Sequence, residues 1–246
     1  MIPFEKSYYI QKIKDYENKI KEKKLNKYSI LKTNIKNPKK YLYKDLNDSK
    51  VSIIELRENE NIMMSISPYE IQGSFEAIKW AYGKVGIVGL GLGYVVQEIL
   101  KKDDVEEVVV YEISEDIINL YRENFSKNNK LRIIKGDAFK AKRESFNCFY
   151  SDIYQYKLTK NVVEDYIKFN KIHSIDEYSF WGMEHFLLSC AIEDLLMIYI
   201  PENWIHMAQD LFNRLSDHNK IDDFVRLDEN EVRDILLMFK KVLNNE

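Results

Sequence analysis

KVGIVGLGLGYVVQEIL, residues 84–100, sets four of the chain's eight glycines within eight positions, between an apolar run and a helical pattern. VGIVG reads as a short buried strand and YVVQEILKK as the helix that follows it. A glycine-rich turn at that junction lets a ligand approach the backbone closely, which side chains would prevent. The same alternation continues downstream. VEEVVVYE is a second strand, SEDIINLYREN a helix, LRIIKGD a third strand and FNCFYSD a fourth. Strands alternating with short helices require parallel pairing through right-handed crossovers. The expected core is therefore α/β: a Rossmann-like, doubly wound, mostly parallel sheet. Ligands of such sheets bind beyond the carboxyl ends of the strands. That rule singles out Gly89, Gly91 and Gly93, then Glu112, Asp137 and Asp152.

The glycine spacing narrows the ligand. A dinucleotide fingerprint places glycines at positions 1, 3 and 6; counted from Gly89, the sixth position is Tyr94 and the third glycine is Gly93. The pattern is G-x-G-x-G, which disfavours an NAD-dependent oxidoreductase. Glu112 ends the second strand, 23 residues beyond Gly89, where a carboxylate can accept both hydroxyls of a ribose. Asp137, after the third strand, is placed to accept a hydrogen from an adenine amino group. Together the three strand ends describe an adenosine site.

These motifs, VGLGLG (88–93), VVVYEIS (108–114), GDAF (136–139) and FYSDIY (149–154), resemble the class I S-adenosylmethionine-dependent methyltransferases, and within them the spermidine-synthase branch. The resemblance covers about residues 50–155. It implies S-adenosylmethionine as cofactor, with its methionine portion at Gly89, Gly91 and Gly93, its ribose on Glu112 and its adenine at Asp137 and Ala138. It also implies that Asp152 faces the acceptor and holds it or takes its proton, with Tyr154 beside the sulfonium. Two positions depart from that branch: Leu92 stands where it carries an aspartate in the glycine loop, and Gln155 where a second acid follows the catalytic aspartate. A diammonium acceptor loses two anionic partners by these changes. Methyl transfer to a small-molecule acceptor therefore ranks above aminopropyl transfer from decarboxylated S-adenosylmethionine, with a non-catalytic interaction module as a further alternative. FYSDIY lacks the Asn/Asp-Pro-Pro-aromatic turn of methyltransferases that act on base amino groups.

The flanks divide the chain into a basic N-terminal helical arm and β-hairpin (1–66), the cofactor-binding core (67–155) and a mainly helical C-terminal part completing the substrate side (156–246). Residues 1–50 carry 14 lysines against 6 acidic groups, a local charge of +8 against −11 for the rest. A solvated lysine-rich helix explains this without nucleic acid, a partner that is conceivable but not favoured. Tyr9, Ile13, Tyr16 and Ile20 share one helical face, which docks on the chain's own core or on a second subunit. The run 51–67 reads as a hairpin. Ser67-Pro68-Tyr69-Glu70 has the form of a capping box opening a helix from Pro68 to about Tyr82, which gives Glu70 a structural role to set against substrate contact.

Ser174-Ile175-Asp176-Glu177 repeats the capping pattern, with Trp181, Glu184 and His185 following as a substrate wall or as helix packing. LLMIYIP (195–201) is the C-terminal part's one candidate strand. Asp228 and Glu231 cap a last helix whose apolar face carries Val232, Ile235, Leu236, Phe239, Val242 and Leu243. His173, His185, His206 and His218 fall at no metal-binding spacing, and Cys148 and Cys190 lack partners, so no metal is expected and a reducing cytoplasm fits. No secretory signal or membrane span is read, since Glu193 and Asp194 interrupt the longest apolar tract.

Overall fold

The structure, a computed structural model, describes residues 3–36, 41 and 50–245. The chain begins with helix α1 (Lys6–Glu17) and an antiparallel sheet of β1 (Lys23–Leu25), β2 (Tyr28–Ile35), β3 (Val51–Glu58) and β4 (Asn61–Ile66). Short helices α2 (Pro68–Gly73) and α3 (Phe75–Trp80) lead into the second sheet. Its elements are β5 (Gly83–Val88), α4 (Tyr94–Ile99), β6 (Val105–Glu112), α5 (Glu115–Asn124), β7 (Leu131–Lys135), β8 (Ser145–Ser151), α6 (Asn161–Ile172) and β9 (Ser174–Phe180). Helices α7 (Met183–Ser189), α8 (Ile192–Leu195), α9 (Glu202–Asp217) and α10 (Glu229–Leu243) complete the chain.

The second sheet has the order β7-β6-β5-β8-β9, with every pair parallel. This is the expected doubly wound α/β architecture. Successive strands run outward from β5 in one direction and then return to its other side, so the order reverses between β5 and β8. Crossovers on the two sides cover opposite faces, and a crevice opens at the carboxyl ends of β5 and β8. Gly86 lets the strands carry a bulky neighbour there: a Cβ on it would lie 2.5 Å from the Phe149 ring.

Several expectations need correction. Residues 23–35 form β1 and β2 rather than continuing a helical arm, because Asn26 takes a left-handed φ of 53° and turns the chain into a hairpin. The helix expected from Pro68 to Tyr82 breaks at Ser74, and the Ser67 side chain caps no backbone amide. Ser174–Phe180 is not a capped helix start but β9, in parallel register with β8 from Ser145↔Ser174 to Ser151↔Phe180. Residues 195–201 contain no strand; α8 ends there in turns and coil.

The apolar face of α1 docks on the chain's own core. Tyr9, Ile13, Tyr16 and Ile20 are each at most 2% exposed, and burial of such side chains contributes about 1.5–3 kcal/mol apiece. Tyr16 donates its hydroxyl to Glu98 at 2.7 Å, and Lys12 pairs with the same carboxylate at 2.5 Å. Lys23 reaches Glu123 on α5, so Lys12 and Lys23 both pair with acids on helices that flank the parallel sheet. Residues 37–40 and 42–49 of the arm lie outside the described residues. At the other end, Asp228 accepts from the amides of Asn230 and Glu231. Phe239 of α10 packs edge-on against Trp204 and stacks on Phe180. Among the described residues no helix is long and apolar enough to cross a membrane.

Candidate active site

A cavity of about 240 Å³ lies at the reversal of strand order, walled by the loop after β5, the ends of β6 and β8, and β3 and β4 of the antiparallel sheet. The sequence concentrates special backbone conformations there. Gly89, Gly91 and Gly93 have φ of 97°, 50° and 79°, conformations that L side chains adopt only at a cost. Gly89 and Gly91 line the cavity. Gly93 faces the other way: a Cβ on it would lie 2.5 Å from the Tyr121 ring, so its role is close packing of the loop on α5.

Glu112, at the end of β6, is 6% exposed and lines the cavity. One of its oxygens accepts the Leu90 amide at 3.0 Å, the other the Ser114 amide at 2.8 Å. The carboxylate thus fixes the glycine loop, and each oxygen keeps acceptor capacity for a further donor. Ile113 beside it is 72% exposed yet contributes to the cavity wall, an apolar side chain open to solvent.

Asp152 follows β8 and also lines the cavity. Its amide donates to Val88 O at 3.1 Å, which locks the acid beside the glycine loop. Across from it stands Glu70 of α2, 2% exposed. Glu70 Oε2 accepts the Tyr156 hydroxyl at 2.7 Å, while Oε1 is buried without a hydrogen-bond partner. Burial raises the Glu70 carboxyl well above the usual range, the nearby Asp152 charge raises it further, and the Tyr156 bond partly offsets both. Burial likewise raises Asp152. Two carboxyls that resist ionisation together favour the state in which they hold one negative charge.

The remaining expected residues lie elsewhere. Asp137 Oδ1 accepts the Phe139 amide at 3.0 Å and Asp137 Oδ2 pairs with Lys140 at 3.6 Å, capping the short helical turn Ala138–Lys140. Neither Asp137 nor the buried Ala138 lines the cavity. Tyr154 turns away from it, with its hydroxyl 3.0 Å from Ser151 Oγ and its ring edge-on to Phe180. Tyr156 stands in the cavity wall instead. Gln155 and Tyr156 have φ of 47° and 61°. Two consecutive left-handed residues without glycine are a costly turn, and this one returns the Tyr156 hydroxyl to Ser65 and Glu70. Trp181 and Glu184 are each 3% exposed and lie behind the cavity as interior packing. Among the described residues no group of three or more His, Cys, Asp or Glu side chains is arranged to hold a metal.

The sequence concealed Glu70 behind a capping signature and Met64 inside a hairpin. The residues themselves gave no signal that set Glu70 apart from a cap: that the Ser67 side chain makes no capping bond and that Glu70 is buried are visible only in the structure.

No protein-family model and no curated protein matches this sequence. Similar solved structures include the 23S rRNA methyltransferase ErmE, at 19% identity over 40% of this chain and 38% of that one, with a TM-score of 0.33. A ribosomal protein L11 methylase from Lactobacillus delbrueckii subsp. bulgaricus is 16% identical over 44% and 57% of the two chains, TM-score 0.36. An S-adenosylmethionine-dependent methyltransferase from Mesorhizobium loti is 16% identical over 42% and 49%, TM-score 0.33. In each case the match spans less than two thirds of the other protein's length.

Proposed function

We propose that the protein is an S-adenosylmethionine-dependent methyltransferase acting on a small-molecule acceptor. The observation that carries this reading is the grouping of Gly89, Gly91, Glu112, Asp152 and Glu70 around one cavity at the strand-order reversal. The residues present fit the cofactor's ribose, because Glu112 is fixed by two amides and retains acceptor capacity. Ile113 offers an apolar face to a purine next to it, a role the resemblance gave to Asp137 and Ala138. When bound, the cofactor would supply a methyl group on a sulfonium: the acceptor's nucleophilic atom would bond to the methyl carbon in line as the carbon–sulfur bond breaks, the sulfur leaving as the neutral thioether of S-adenosylhomocysteine. The chain's part is to hold the reactants in line, which accounts for the few reactive side chains. Asp152 orients the acceptor and takes its proton, and Glu70 keeps that proton within the pair.

Aminopropyl transfer is the second reading, and one observation favours it: Glu70 supplies from α2 an acid that the motif after β8 lacks at Gln155. Calorimetry with S-adenosylmethionine, S-adenosylhomocysteine, decarboxylated S-adenosylmethionine and NAD tests the assignment. Binding of the first two supports methyl transfer, and preference for the decarboxylated form supports aminopropyl transfer. NAD binding alone overturns both. Tight S-adenosylmethionine binding without consumption across a broad acceptor panel identifies a non-catalytic module.

A further inference from the structure

Resting on that reading, we propose that Met64 is a gate over the glycine loop, which must swing aside before the amino-acid end of the cofactor can enter. Its Sδ accepts the Leu92 amide at 3.1 Å. It also stands against Gly91 so closely that a Cβ built there would collide with the sulfur. The face of the loop that a ligand must approach is thus covered by the protein's own thioether.

The strand that carries Met64 is built for this placement. Register between β3 and β4 runs Leu56↔Met64 and then Arg57↔Ile62, so Met63 is an extra residue in β4. Neighbours on a regular strand point to opposite faces; a bulge re-aims one of them, and Met63 and Met64 both line the cavity. β4 is an edge strand with one sheet neighbour. Adjacent Ser65 is held from the cavity side, where the Tyr156 hydroxyl lies 3.4 Å from its amide and its carbonyl while donating to Glu70. The gate strand is therefore tied through Tyr156 to Glu70 of the acid pair.

The chemistry suits a displaceable cover. A thioether is a weak acceptor on an unbranched side chain with three rotatable bonds. A ligand carboxylate makes a charge-assisted bond to the same amide, roughly twice as strong as a neutral one. Affinity is reduced by the fraction of molecules with the gate open, so removing the gate tightens binding of any ligand that needs the loop face and leaves one that does not unchanged.

The test is calorimetry of wild type, Met64→Ala and Met64→Leu with S-adenosylhomocysteine and with adenosine, which lacks the amino-acid end. Met64→Ala is expected to tighten S-adenosylhomocysteine by about tenfold, with adenosine changed less than about twofold. Met64→Leu keeps the bulk and should stay near wild type. The methyl-13C resonance of Met64 in the wild-type protein, assigned by its loss in Met64→Leu, should shift on adding S-adenosylhomocysteine and not on adding adenosine, which checks the gate even if Met64→Ala fails to fold. Unchanged or weaker binding of S-adenosylhomocysteine by Met64→Ala, equal tightening of both ligands, or a Met64 methyl that stays fixed overturns the gate while the cofactor assignment stands. Failure of wild type and both variants to bind either ligand overturns the cofactor assignment and the gate with it.

Discussion

Gly89 and Asp152 meet backbone to backbone where the strand order reverses: a Cβ on Gly89 would lie 2.7 Å from the Asp152 carbonyl oxygen. Loop and acid are thereby fixed relative to each other by main chain rather than by adjustable side chains. Gly89→Ala is expected to be destabilising on two grounds, a φ of 97° and this contact. The conformational part alone is about 1–3 kcal/mol, corresponding to a fall of about 2–12 °C in a thermal melt. A melt like that of wild type would show that the junction yields.

Glu112→Ala removes acceptors for two amides together with the site proposed for the ribose. S-adenosylhomocysteine affinity should fall roughly ten- to a hundredfold, the loss of about 1.5–3 kcal/mol attached to hydrogen bonds of a charged group. Calorimetry reads this directly, and unaltered affinity would remove Glu112 from the cofactor site.

Asp152→Asn keeps the size of the side chain and removes its basicity. Cofactor affinity is expected to be preserved while turnover of the true acceptor falls by roughly a hundredfold or more, the range of general-base contributions. In the wild type, turnover should rise with pH through the elevated titration of the Asp152–Glu70 pair. A variant with wild-type turnover would show that Asp152 is not the base.

The same pair makes stability pH-dependent. Both carboxyls titrate higher in the folded protein than in the unfolded chain, so the native state binds more protons between those two values. The pair's contribution to stability is then fully present below the unfolded carboxylate value, about pH 4, and is lost as pH rises through the elevated folded values. Glu70→Gln, neutral at every pH, should flatten this decline and melt above wild type at pH 8. Parallel melting curves for the two proteins across pH 4–8 would contradict it.

With decarboxylated S-adenosylmethionine and putrescine, little or no spermidine is expected. Glu70 and Asp152 lie together, Leu92 is buried, and Gln155 is neutral, so the second ammonium of a diamine enters without an acid of its own to offset desolvation. Efficient spermidine formation, measured by chromatography, would establish aminopropyl transfer.

Strand ends that depend on local pattern were legible: the loop at Gly89–Gly93 and Glu112 follow β-branched runs, and Asp152 follows the aromatic run FNCFYS. What depends on distant partners was not. The signature Ser-x-x-Glu suggested a capped helix start at both Ser67 and Ser174. At Ser174 the outcome is a strand, because Tyr178 and Phe180 pair in register beside β8. At Ser67 the helix forms but its glutamate turns inward to Tyr156, 86 residues away in sequence. Lysine-rich composition likewise obscured the alternation Tyr28, Ile30 that buries one face of β2. Tyr154 and Tyr156 are both plausible cavity residues by position, and only the left-handed turn at 155–156 decides which one faces inward.

The bulge at Met63 also fixes what kind of object the cavity is. Its walls come from two sheets that share no strand, with Leu56, Met63 and Met64 on one side and Gly89 to Tyr156 on the other. The volume between them is therefore a joint, and under the proposed function a substitution that shifts one sheet by a fraction of a side chain would change which acceptors fit without touching the residues assigned to the reaction. Diversification of substrate in such a protein would proceed through the hairpin, leaving intact the chemistry proposed for the glycine loop and Asp152.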